Sequence, residues 1–180
     1  RTIRQQRKAK NMATRARIAI QTENGIIGAY QHWDGYPGGL GYNLIDNWYK
    51  ADKITDAIKL GNSSKWGIII GEKIDFDDRN NPMQDVQNVY YMRDRGEKDQ
   101  GPKTYSDEAD YLENGFNTGE DYIYLAKNTG EKDYLGNAQV TWFYASYDSK
   151  EFKPLEEDAI NDHIAMLKRH LEMMKERKAA

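Results

Sequence analysis

Ala16-Arg17-Ile18-Ala19-Ile20-Gln21-Thr22 and Ile26-Ile27-Gly28-Ala29-Tyr30-Gln31-His32, joined through Asn24-Gly25, form the stretch that decides how this chain folds. Two strand-like runs around Asn-Gly are the strongest short signal for a β-hairpin. A two-residue turn at Asn24-Gly25, closed by Glu23 and Ile26, sets opposite each other Ile20 and Ala29, Thr22 and Ile27, Ile18 and Gln31, and Ala16 and Trp33. Directly opposed residues project to the same side of a sheet, so these pairs define one largely apolar face. The other face carries Ala19 with Tyr30, Arg17 with His32 and Arg15 with Asp34. The hairpin thus predicts a core side and a second side that gathers two Arg, one His and one Asp.

Beyond the hairpin, Asp34-Gly35-Tyr36-Pro37-Gly38-Gly39 is dense in turn residues and must leave the strand. Leu40, Leu44, Ile45 and Trp48, then Ile54, Ala57, Ile58 and Leu60, recur at helical spacing, with Gly61-Asn62 as the stop. Residues 86–92, 122–126 and 140–147 read as strands, the last apolar on both faces and therefore central. A short helix is expected near 106–112, where Thr104 and Asp107 have capping-box spacing. Residues 75–81 are polar loop. A final helix begins near Pro154, with Glu156, Glu157 and Asp158 at its positive end and Lys175, Arg177 and Lys178 at its negative end. The expected class is α+β: a mostly antiparallel sheet starting with an N-terminal β-hairpin, helices on one face, and a long C-terminal helix. Three regions follow: a basic leader at 1–11, an α+β domain at 12–150, and a C-terminal amphipathic helix at 151–180.

Ile, Leu, Val and Phe together make up only 31 of the 180 residues, a fraction that accompanies disorder when net charge is high. Net charge here is only −3, and 13 Tyr with 4 Trp supply the missing apolar surface, so a folded domain with an aromatic-rich, partly polar core is expected. With no Cys there is no disulfide framework, thiol nucleophile or cysteine zinc site. No apolar run approaches the ~20 residues of a membrane span. Seven basic residues, Arg1 through Arg17, precede the first acid at Glu23. Setting them aside leaves 19 basic against 29 acidic residues, a net of −10. A basic arm can neutralise phosphates, but so acidic a body repels a nucleic-acid backbone, and nucleic acid is not an expected partner.

Two constellations could carry chemistry. In His32-Trp33-Asp34-Gly35-Tyr36-Pro37, His can move a proton, Asp can orient it, and Trp33 and Tyr36 offer stacking surfaces. The structural alternative is an Arg15–Asp34 ion pair, a sharp exit at Gly35 and a core Trp33. In Arg93-Asp94-Arg95-Gly96-Glu97, strand alternation places Arg93 and Arg95 on one side, where two guanidinium groups could hold an anion; the alternative is a solvated ion-pair network. Residues 75–80 lack a calcium loop's Gly and final Glu, and no metal site or cofactor is expected. His163 and His170 lie two helical turns apart, about 10 Å, too far to share a metal. No complete catalytic constellation emerges. Ile160, Ile164, Leu167, Leu171 and Met174, spaced 4-3-4-3, form a seam suited to a partner helix or, equally, to packing on the chain's own domain.

Thr14-Arg15 after Met12, the His-Trp-Asp-Gly-Tyr-Pro hexapeptide with Gly39 and Gly41, Leu60-Gly61, Ser63-Ser64, Arg-Asp-Arg-Gly-Glu and residues 122–125 together resemble a family of uncharacterised proteins encoded mainly by bacteriophages. The resemblance spans roughly 12–147 and implies a phage origin and a site of action in the host cytoplasm, but no activity and no catalytic residues. The leader and the C-terminal helix lie outside it. Three functions follow as expectations. The first is a non-enzymatic accessory protein that binds a host or phage protein, with self-association through the C-terminal helix as a variant. The second is an enzyme or sensor for a phosphate-bearing small molecule, using Arg15, Arg17, His32, Trp33, Asp34, Tyr36, Arg93, Arg95 and Glu97 as ligand contacts. The third is a virion or assembly component. No membrane partner is expected.

Overall fold

The computed structural model describes residues 13–179, so the basic leader lies outside the described residues. The hairpin forms as β1 (Ala16–Thr22) and β2 (Gly25–Gln31), antiparallel. Its register differs by two residues from the expected one: Ala16 faces Gln31, Arg17 faces Tyr30 and Ile20 faces Ile27. The tight primed turn requires positive φ at both central residues, and Asn24 does not adopt it. Gly25 does, at φ 116°, while still pairing with Thr22. Glu23-Asn24 therefore make the turn, tied by the Asn24 N–H donating to Thr22 Oγ1 and that hydroxyl donating to the Gly25 carbonyl. A slip of two preserves the faces, so the apolar side remains apolar. It moves Arg15 toward His32 and away from Asp34, and Arg17 from His32 to Tyr30.

Around the hairpin the sheet runs β4 (Val89–Tyr90), β3 (Ser63–Lys65), β2, β1, β6 (Tyr122–Lys132), β7 (Ala138–Ser146) and β8 (Lys153–Pro154), with β5 (Lys103–Tyr105) also pairing β2. Only β1–β6 and β2–β3 are parallel, so the sheet is mixed and mostly antiparallel. The long strand 140–147 is β7. It is flanked on its far side by the two-residue β8, so β1 and β6 hold the centre.

Pro37–Gly41 make a wide π-type turn that continues as α1 (Tyr42–Asn47), followed by α2 (Ala51–Lys59). These helices and the long α5 (Glu156–Ala179) cover the Ile18–Ile20 face in one core. The helix expected near 106–112 is α4 (Glu108–Thr118), capped by the Asp107 carboxylate, which accepts the Asp110 N–H. It lies on the opposite face, over Ala19, Ile123 and Leu125, and forms a second core. A sheet covered on both sides explains why β6 alternates without ever turning polar over Ile123–Ala126.

The cores are built from aromatic rings, and the polar ends of the most deeply buried ones are occupied. Trp48 Nε1 donates to the Gly67 carbonyl and Trp142 Nε1 to the Trp48 carbonyl, while Tyr124, Tyr111 and Tyr90 hydroxyls donate to carbonyls of Gly35, Tyr124 and Ala57. Burial without such partners would cost about 1–3 kcal/mol per ring, a large part of what its area gains.

Candidate functional site

The nine residues expected to form a ligand patch do not converge. Arg17 is buried under α4, where Nε and Nη2 hold Glu120 Oε1 at 2.9 and 2.5 Å, Nη1 donates to the Tyr105 hydroxyl and Nη2 also donates to Thr118 Oγ1. Burial by itself would lower the guanidinium's pKa, yet the Glu120 carboxylate and Tyr105 raise it above the ordinary value. Arg93 belongs to a single helical turn, α3 (Tyr91–Arg95), rather than to a strand, because only Val89–Tyr90 of the expected 86–92 are extended. Its guanidinium donates to Asp94 and to the carbonyls of Ile70, Gly71 and Asn88. Asp94 is buried and accepts the N–H groups of Ile74 and Tyr90, so Arg93-Asp94 staple the 70–75 loop to β4. Arg95 stacks between Phe76 and Tyr91 and pairs with Glu97. Gly96, at φ 72°, takes the left-handed conformation that ends the turn.

Two patch residues, His32 and Arg15, do come together, beside Tyr30. His32 lies beside Tyr30, whose hydroxyl is 2.6 Å from His32 Nδ1, and within the field of Arg15. Burial, helped by Arg15, lowers the His32 pKa, and burial raises the Tyr30 phenol to about 12. The phenol is thus the donor and a neutral imidazole the acceptor. Asp34 makes no ion pair with Arg15 among the described residues. It stands exposed at φ 57°, where the chain turns out of β2. Gly35 explains why Thr-Arg and the hexapeptide occur together: its N–H donates to the Thr14 carbonyl at 2.9 Å, and a Cβ there would lie 2.7 Å from that same oxygen.

The concave feature lies on the other side of the hairpin. A cleft of about 400 Å³ opens between the Trp33–Gly39 loop, α1, the segment after β3 and the inner side of α5. Trp33, expected in the core, is 45% exposed at its edge, and Tyr36 also lines it. Trp66, Tyr42, Asn43 and Asn47 form its walls, with the Lys65–Asp85 ion pair among its lining residues. Gln31 lies against it, 2% exposed. Of the residues lining this cleft, Trp33, Asp34 and Tyr36 were expected to bind a ligand. The signal for Gln31 was an amide in the apolar register of Ile18 and Ile20. His163 and Met166 were hidden because their helix docks through residues outside its apolar seam.

α5 is held where it meets the π-type turn. Asp162 Oδ2 accepts the Gly38 N–H at 2.7 Å, His163 Nδ1 donates to the Gly38 carbonyl at 3.0 Å, and the His163 ring stacks on Tyr42 at 3.9 Å. Ala159 is fully buried. The seam of Ile160, Ile164, Leu167, Leu171 and Met174 points away from these contacts and is exposed throughout, and every residue of 167–179 is exposed.

No protein-family model, curated protein or solved structure matches this chain. Among the described residues no helix is long and apolar enough to cross a membrane, and no group of three or more His, Asp or Glu is placed to hold a metal ion.

Proposed function

We propose that this chain is a non-enzymatic accessory protein of a bacteriophage that binds a host protein, and that the outward seam of α5 is the surface through which it does so. The observation carrying this reading is the exposure of that seam: Ile160 is 37% and Ile164 43% exposed on the length of helix anchored by its other side, and Leu167 and Leu171 continue the stripe beyond it at 56% and 52%. Scattered apolar residues on a surface are ordinary, but a continuous stripe on one rigid element marks an interaction site. The phage origin and the host as source of the partner rest on the resemblance in motifs.

The flanks of the seam specify the partner. Taking Ile164 and Leu171 as heptad position a and Ile160, Leu167 and Met174 as d, positions e and g hold Asn161, His163, Lys168, His170, Lys175 and Arg177. None is acidic, so two copies of α5 would set basic flank against basic flank in either orientation. The occupant that fits is an amphipathic helix of another protein with Asp or Glu beside its apolar stripe. The phosphate-directed reading has less support, because Arg17, Arg93 and Arg95 are engaged within the fold.

Co-purification from infected host cells tests this. A specific protein should be retained by the chain, released by raised salt, and lost with the Leu167→Asp/Leu171→Asp variant, while the chain alone sediments as a monomer. Retention unaffected by the double substitution, or sedimentation as a dimer abolished by it, would overturn the proposal.

A further inference from the structure

The cleft carries a second inference, independent of the partner helix. Gln31 is buried at the cleft wall, and its Nε2 donates to the Trp33 carbonyl, which sets the orientation of the amide. Its Oε1 is left buried without a donor among the described residues. An unpaired buried acceptor is costly, of order 1–3 kcal/mol, unless something supplies a proton to it.

The remaining lining limits what that something can be. Asn47 Nδ2 donates to Asn43 Oδ1, and Asn43 Nδ2 to the carbonyls of Trp66 and Gly67, so the amide donors of α1 are already used. Lys65 is paired with Asp85 at 2.8 Å, which leaves no unpaired cation to hold a phosphate. The rest of the lining includes the rings of Trp33, Tyr36, Tyr42, Trp66 and His163 together with the exposed Asp34 carboxylate, an acceptor that likewise favours a ligand bearing N–H donors over an anion. The volume of about 400 Å³ falls within the range of small-ligand sites. We infer that this cleft binds a neutral, planar heterocycle that presents an N–H donor to Gln31 Oε1, the chemistry of an amino-substituted purine base.

Adenosine and guanosine are the probes, with purine riboside as the ring lacking the exocyclic amine, and quenching of tryptophan fluorescence as the readout. At least one of the two nucleosides should quench saturably, and purine riboside should bind at least about tenfold more weakly than it does. Gln31→Leu should weaken binding by about tenfold or more, and Trp33→Ala, an exposed position that the fold does not need, should weaken it as well. Far-UV circular dichroism and a melting curve confirm that each variant is folded. If Gln31→Leu fails to fold, the purine riboside comparison and Trp33→Ala decide the matter. No saturable quenching by either nucleoside up to millimolar concentration would overturn the inference, as would purine riboside binding as tightly as its amino counterpart or a folded Gln31→Leu that binds like the parent chain. Because the chain is tested alone, these outcomes are separate from the fate of the partner-helix proposal.

Discussion

Arg17 shows how a residue that looks functional can be committed to the fold. It lies on the inner side of β1 with its charge opposed by Glu120, which is 2% exposed. Removing one member of such a pair leaves the other charge buried and uncompensated, which costs about 3–5 kcal/mol. Arg17→Ala should therefore lower the urea midpoint far more than Arg15→Ala does, and Arg17→Met combined with Glu120→Leu should recover most of the loss. Equal midpoints for the two single variants would contradict this placement. His32 gives a prediction in pH. Its folded-state pKa lies below the ordinary 6.5, so the unfolded chain takes up the proton first as the pH falls. Its contribution to stability is therefore fully present above about pH 6.5 and is lost as the pH drops through the folded value. His32→Phe should flatten that part of the stability profile, as measured by denaturant midpoints between pH 7.5 and 5, and an unchanged slope would argue against a buried neutral imidazole.

α5 divides into two functional lengths. Up to Met166 its inner side is fixed by Ala159, Asp162 and His163, whereas 167–179 extend with every residue exposed. Amide exchange should be slow in the first part and fast in the second, since local stability follows buried contacts; uniform protection along the helix would contradict this division. Asp162→Ala should cost about 1 kcal/mol by freeing the Gly38 N–H, whereas Leu167→Asp should change stability by no more than about 0.5 kcal/mol. The hairpin, both helices after it and α4 were legible because period-2 and period-3.6 patterns and capping residues report local physics, although α4 is capped by Asp107 itself and not by a Thr104–Asp107 box. The register slipped by two residues because Asn24-Gly25 supports either turn, and what decides between them is long-range: β5 packs the Tyr105 carbonyl 2.6 Å from where a Cβ of Gly25 would be. α3 was misread as strand for a similar reason, since Arg93 reaches carbonyls of the 70–71 loop that no local pattern announces.

At the scale of the whole molecule, the proposed ligand cleft is separated from the proposed partner seam by the thickness of one helix. The inner side of α5 closes the cleft through His163 and Met166, and its outer side offers the seam. Residues 18–180 carry a net charge of −10, in contrast to the basic flanks of the seam, so the acidic partner proposed for α5 would be drawn there and repelled elsewhere. The candidate site was only partly legible: Trp33, Asp34 and Tyr36 on its near side stood out in the motif, but its far wall comes from residues 65–68 and 163–166, which only the tertiary fold brings together. The seam itself was fully legible as a period-3.5 stripe, and its exposure is what the fold adds. The most direct test places a photo-crosslinking amino acid at position 171 on the seam and, as a control, at position 169 on the solvent side of the same helix, in infected cells. The prediction is a crosslink from 171, and none from 169, to an amphipathic segment of another protein with acidic residues beside its apolar stripe. Equal crosslinking from both positions, or crosslinks from 171 only to a second copy of the chain, would contradict it.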